Sequence, residues 1–252
     1  METGDNVLIG GFIITGASGS TKLVAIRGLG PSLNVNGVPI PGRLADPSIE
    51  LHKPDGSTVT NDNWRNAPNA GNVPPALQPT DDRESVILTT LTPGGYTVIV
   101  KGAQDGTGVG LVEAYDLEED SPAKLANIST RGFVQTGDNV MIGGFILRGP
   151  SGSSRKVVVR GLGPSLNVNG VPIPGRLSDP LIELHHPDGS VVTNDNWRAA
   201  ANAGDIPPNL QATDDRESII LTTLSPGGYT VIVKGARGET GVGLVEAFQL
   251  DN

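Results

Sequence analysis

Cysteine is absent from the 252 residues, which excludes disulfide staples, thiolate nucleophiles and sulfur-ligated zinc or iron. Large aromatic side chains are scarce, with four Phe, three Tyr and two Trp. Positive charge is short as well: 18 Lys and Arg stand against 27 Asp and Glu, a net charge of −9. No Lys/Arg cluster is dense enough to neutralise a run of phosphates, so the chain reads as no nucleic-acid binder, and a cation fits it better as a partner. The longest apolar run, Val7 to Ile14, is interrupted by Gly10 and Gly11 and is too short to span a bilayer, so no membrane insertion is expected and the chain reads as soluble. The opening Met1-Glu2-Thr3-Gly4-Asp5 does not have the form of a signal peptide. What the chain has in plenty is glycine and proline, 35 and 20 residues.

It also has one unit written twice. At an offset of 133 residues, Thr3–Glu119 aligns with Thr136–Asn252 without a gap, and about three pairs in four are identical. The differences are conservative swaps, such as Leu8/Met141 and Val86/Ile219, or fall in loops, such as Asn66-Ala67-Pro68 against Ala199-Ala200-Ala201. Two domains follow, repeat 1 over 1–119 and repeat 2 over 125–252, with a charged, proline-containing linker over 120–124. The copies differ at their starts. Leu125–Val134 reads as a strand leading repeat 2, whereas its counterpart in repeat 1 falls before Met1. Three readings are open: an array cut inside a repeat, an exposed edge on repeat 1 that accepts a strand from another molecule, or an ordered connector serving both domains.

Apolar residues recur with period two, and no run of helical period reaches ten residues. Strands are expected over Val7–Thr15, Lys22–Gly28, Ser48–Lys53, Ser57–Thr60, Glu84–Thr90, Tyr96–Gly102 and Gly108–Tyr115, and again 133 residues on. Pro54-Asp55-Gly56-Ser57 reads as a hairpin turn. Tyr96, Val98 and Val100 share a core face, as do Ile49 and Leu51, with Glu50 and His52 outward. The expected fold is all-β, two tandem antiparallel β-sandwich domains of jelly-roll-like form. Leu29 to Pro47 and Trp64 to Asp82 are long, proline-rich connections suited to binding or to packing over the end of a sandwich.

Chemistry concentrates in Asn61-Asp62-Asn63-Trp64-Arg65 and Asp81-Asp82-Arg83-Glu84 and their repeats. Clustered loop carboxylates and amides are the hard oxygen donors that Ca²⁺ prefers. The candidate calcium shell is Asp62, Asn63, Asp81, Asp82 and Glu84, with Asp195, Asn196, Asp214, Asp215 and Glu217 in repeat 2. The alternative is that the Asn and Asp side chains form turn hydrogen bonds and that Asp82 and Glu84 pair with Arg65 or Arg83. Glu113 and Glu246 lie in an otherwise apolar last strand; on a core face they need Arg27, Arg43 or a metal, and on the other face they are solvated. Trp64 and Trp197 either stack on a sugar or cap the sandwich. Arg27-Gly-Leu-Gly-Pro-Ser-Leu33 lacks the residues of a phosphate loop and reads as a sharp strand exit. His52, His185, His186 and the carboxylates are the available acids and bases, but no nucleophile elbow or zinc motif accompanies them, so no catalysis is expected.

Asp46-Pro-Ser-Ile-Glu-Leu-His-Lys-Pro-Asp-Gly56, the Asn61–Asn63 loop, Glu84-Ser-Val-Ile and Leu91-Thr-Pro-Gly-Gly-Tyr-Thr-Val-Ile-Val100 together resemble the bacterial pre-peptidase C-terminal domain, over roughly 46–115 and 179–248. That resemblance implies a secreted, often calcium-binding β-sandwich, with Asp62, Asn63, Asp82 and Glu84 as loop ligands. The whole unit, with Leu125-Ala-Asn-Ile-Ser-Thr-Arg131 and Thr136-Gly-Asp-Asn-Val-Met-Ile-Gly-Gly-Phe145, is similar to tandem repeats at the C-terminal ends of large bacterial extracellular proteins. The expectation is a non-enzymatic, calcium-stabilised structural or adhesive protein, extracellular or at the cell surface. Its partners would be itself, head to tail by strand addition into a filament or surface array, or another surface component; the alternative is a carbohydrate-binding module with a glycan partner.

Overall fold

The computed structural model describes Met1, Gly4 and residues 7–137 and 139–250. Glu2, Thr3 and Asp5 of the opening segment, and Asp251 and Asn252 at the end of the aligned repeat, lie outside the described residues. The chain is all-β and divides into two compact units, Met1–Ala126 and Asn127–Asn252.

The first unit contains β1 (Leu8–Thr15), β2 (Lys22–Leu29), β3 (Asn34–Val35), β4 (Val38–Pro39), β5 (Pro47–His52), β6 (Thr58–Asn61), β7 (Ser85–Leu91), β8 (Gly94–Gly102) and β9 (Leu111–Asp116). The strand pairings among the described residues are antiparallel, and an isolated parallel bridge joins Arg43 to Val109. β8 lies between β1 and β5, with β6 outside β5, and β2 lies between β7 and β9. Alternation decides which side chains meet between the sheets. From β8, Tyr96, Val98 and Val100 point inward, and from β5, Ile49 and Leu51 do so, while β2 contributes Val24 and Ile26. Each such side chain is at most 4% exposed, and burying one contributes about 1.5–3 kcal/mol. Phe12 and Tyr96 sit opposite each other in register and stack at 5.2 Å.

β10 (Lys124–Val134) follows, and then β11 (Met141–Leu147), β12 (Arg155–Leu162), β13 (Asn167–Val168), β14 (Val171–Pro172), β15 (Pro180–His185), β16 (Val191–Asn194), β17 (Ser218–Leu224), β18 (Gly227–Gly235) and β19 (Gly241–Gln249). The second unit repeats the plan, with β18 between β11 and β15, β16 outside β15, and β12 between β17 and β19. Among the described residues it has one strand more: residues 127–134 of β10 pair antiparallel with β19.

The two long connections are more ordered than their composition implies. Asn36 and Gly37, both at positive φ (51° and 81°), turn the short hairpin β3–β4, and Asn169-Gly170 does the same for β13–β14. Residues 64–82 form three single 3-10 turns, Trp64–Asn66, Ala70–Asn72 and Pro75–Leu77. They lie over the outer face of β7, where Trp64 and Val73 pack with Val86, and Asn69 donates to the Leu88 carbonyl at 2.8 Å. The segment is a second hydrophobic layer, not a loop at the sandwich end. Trp64 and Trp197 are each 2% exposed.

Truncating either tryptophan therefore removes the centre of that layer. Trp197→Ala is expected to destabilise the second unit by about 3–5 kcal/mol, with Trp64→Ala acting likewise on the first, as read by chemical denaturation.

Candidate functional site: a cradled carboxylate and unlike strand edges

The acidic residues singled out by sequence are used separately. Asp62 accepts from the Asn63 side chain at 2.9 Å, and Asp195 from Asn196 likewise. Asp81 forms a two-point pair with Arg83, with N–O distances of 2.9 and 2.7 Å, and Asp214 does the same with Arg216. Those arginine hydrogen bonds hold both aspartates below the ordinary carboxylate range. Asp82 pairs with Arg65, and Asp215 with Arg198, each arginine also lying over the ring of its neighbouring tryptophan at 4.4 or 4.3 Å. Among the described residues no three Asp, Glu or His side chains come together as a metal-holding group. Asp195 and Asn196 do line a surface depression of about 390 Å³ with Asp179 and Glu239, but Arg216 and Arg237 share it. Burial and Glu239 raise Asp179 there.

Glu84 and Glu217 are wholly buried. Glu84 Oε1 accepts from the amides of Gly30 (3.1 Å) and Ser32 (2.8 Å) and from the Ser32 hydroxyl (2.6 Å). Glu217 accepts from Gly163 and Ser165 at 2.8 and 2.7 Å. The Gly-Leu-Gly-Pro-Ser turn thus cradles a carboxyl group, and that group is the chain's own. Glycine is needed at Gly30 and Gly163 because a Cβ would run into the Leu44 and Leu177 carbonyls. Burial raises Glu217, with the donors of Ser165 and Gly163 pulling the other way. Its serine and glycine partners were visible in the sequence as a turn, but nothing there named the acceptor.

Glu113 has Arg27 as its partner, and Tyr115 donates to its other oxygen at 2.9 Å. Arg27 also donates to the Leu77 carbonyl at 3.0 Å, tying β2 and β9 to the outer layer. Arg43 instead donates to the Pro31 and Leu33 carbonyls. Burial foremost, and Glu113 next, raise Tyr115. In the second unit Phe248 replaces the tyrosine, and Arg160 lies 5.1 Å from its ring centroid while pairing with Glu246. His52 sits outward between Glu50 and Thr58, each at 3.3 Å, and His185 has the same glutamate neighbour in Glu183.

The remaining feature is the connector, β10. Ala123, just before it, is fully buried in the first unit's core, and Leu125 packs against that core. Thr15, at the end of β1, donates to the Lys124 carbonyl at 3.5 Å. Lys22 fixes the approach, with Nζ 2.9 Å from Asp116 and 2.6 Å from the Glu118 carbonyl. Farther on, Val134 is fully buried in the second unit's inner core, and Phe133, pointing the other way, packs in its outer layer. The residues read as linker and leading strand thus begin as part of one unit and end as part of the other.

In the first unit, β9 ends its sheet with no strand beyond it among the described residues. In the second, Phe145 and Leu147 of β11 are half-buried, whereas their counterparts Phe12 and Ile14, beside Ala123 and Leu125, are 3% and 1% exposed. No protein-family model and no curated protein matches the chain.

Two outcomes follow from the carboxylates. Glu217→Ala leaves the buried Gly163 and Ser165 amides without an acceptor and is expected to cost about 2–4 kcal/mol in denaturant titration. Asp81 and Asp214 are held low, so their pairs contribute fully above the unfolded value of about 3.9 and are lost as pH falls through the folded one. Glu217, raised, runs the opposite way, its contribution fading as pH rises through its folded value. Replacing Asp81 and Asp214 together by Asn is expected to flatten the fall of the thermal midpoint below about pH 4.

Proposed function

We propose that the chain is a non-catalytic structural repeat protein whose units are completed by connector strands, the building principle of an extracellular or cell-surface filament or array. The observation that carries this reading is β10, one strand with Ala123 and Leu125 at its start serving one core and Val134 at its end serving the next. The likeness of the unit to repeats of bacterial extracellular proteins supports the location. The duplicated site is also suited to an array: the Glu–Gly-Pro-Ser cradle and the Arg–Glu pair occur once per unit, each formed by residues of its own unit. Sugar stacking gains no support from Trp64 and Trp197, which are buried.

Unit-resolved hydrogen exchange tests the proposal. Ala123→Asp is expected to raise exchange in β8 with β18 unchanged, and Val134→Asp to do the reverse, each by at least about 100-fold, the equivalent of about 3 kcal/mol for a buried, unpaired charge. Uniform loss across both units, or no loss in either, would show that the connector does not serve them separately. Calcium is tested by thermal unfolding with chelator and with calcium restored. Because Asp81 and Asp82 already hold arginines and Glu84 holds backbone amides, the midpoint is expected to stay within about 1 °C, whereas a bound ion at saturation would raise it by several times that.

A further inference from the structure

We propose that β7 and β17 are latent self-association strands, and that Asn61 with Asn69, and Asn194 with Asn202, are guards that occupy their outer edges and keep a second copy of the chain from pairing there.

The hazard is written in the strands themselves. Ser85-Val-Ile-Leu-Thr-Thr-Leu91 and Ser218-Ile-Ile-Leu-Thr-Thr-Leu224 are rich in β-branched and aliphatic side chains and have no charge, no Pro and no Gly. That is the composition of a segment that pairs readily with copies of itself. Each strand also ends its sheet: β2 pairs with β7 and β12 with β17 on one side, and among the described residues no strand lies on the other. Both strands sit in the middle of a repeat, and an uncharged edge of seven residues is a template for pairing between chains.

Here the edge is met by other groups. The Glu84 carbonyl accepts from the Trp64 amide at 2.8 Å, the Val86 amide donates to Asn61 Oδ1 at 2.9 Å, and the Leu88 carbonyl accepts from Asn69 Nδ2 at 2.8 Å. The second unit repeats all three: Glu217 accepts from Trp197 at 2.8 Å, Ile219 donates to Asn194 at 2.9 Å, and Leu221 accepts from Asn202 at 2.9 Å. Every second residue along the edge thus has a partner, and none of those partners belongs to a strand of the same sheet. A carboxamide suits the task because it holds a donor and an acceptor without charge. Asn61 and Asn194 are themselves fixed, donating to the Asn63 and Asn196 carbonyls at 3.2 and 3.3 Å. The occupant kept out is a second copy of the strand. Antiparallel pairing centred on Leu221 sets Leu221 against Leu221 and Ile219 against Thr223 about a two-fold axis, so the groups now held by Asn194 and Asn202 face the other copy and no like charges meet.

The test uses the full chain carrying Asn194→Ala and Asn202→Ala. Hydrogen exchange at Ile219 is expected to speed about 30-fold, as for the loss of two ordinary hydrogen bonds, with Val231 in the other sheet unchanged. Sedimentation over a concentration series should show a mass that rises above the wild type's. Adding Thr223→Lys, at an exposed position of the same strand, should return the mass to the wild-type value, which a merely destabilised chain would not do. If the pair of substitutions does not fold, Asn202→Ala alone gives the same reading with about a 5-fold effect for one bond. An unchanged mass would show that the asparagines only fasten the covering layer, and association that survives Thr223→Lys would place the contact away from β17; either result overturns the proposal.

Discussion

A strand edge is a row of amide and carbonyl groups that must find partners, and that requirement organises this protein. Interior strands β8, β18, β2 and β12 meet it on both sides. β19 meets it through β10, which brings the side chains of Val134 and Phe133 to opposite faces of one sheet. Backbone pairing and core completion are therefore the same event, since the residue that closes the ladder also closes the hydrophobic layer.

Polar groups are handled with similar economy. The Gly-Pro-Ser turn after β2 exposes amides toward the interior, where an unpaired donor is costly, and Glu84 satisfies them from the start of β7. Arg27 links Glu113 on β9 to the Leu77 carbonyl in the covering layer. These contacts tie segments distant in sequence, and they explain why acidic residues grouped in the chain do not gather in space. Asp81, Asp82 and Glu84 are near neighbours along the chain, yet one clasps Arg83, one clasps Arg65, and one faces inward to a turn.

The strands were legible because period-two alternation is imposed by burial on one face: Ile49 and Leu51 against Glu50 and His52, or Tyr96, Val98 and Val100 against Thr97 and Ile99. The covering layer was not, because single 3-10 turns separated by prolines leave no period to read, and Trp64 looks the same in a sequence whether it meets a core or a sugar. The Asn36-Gly37 hairpin carried a readable signal that Pro39 and Pro41 obscured. The chain's repetition revealed that Leu125–Val134 had no counterpart after Met1, but only the placement of Ala123, Leu125 and Val134 in different cores shows how that one segment is used. The cradle for Glu84 illustrates the limit best, since the partners lie more than fifty positions apart and neither is unusual alone.

The connector has a mechanical consequence. Tension passing along the chain from one unit to the next must travel through β10, whose residues 127–134 are held to β19 by bonds that run across the strand direction. Because Asn127 and Phe248 face each other at one end of that pair, a pull entering at Asn127 and leaving past Gln249 parts those bonds one after another from that end. A flexible linker would transmit the same force straight to the ends of the domains. Here the first bonds to give are those beside Asn127, and Val134, buried in the second unit's core at the far end, is released last.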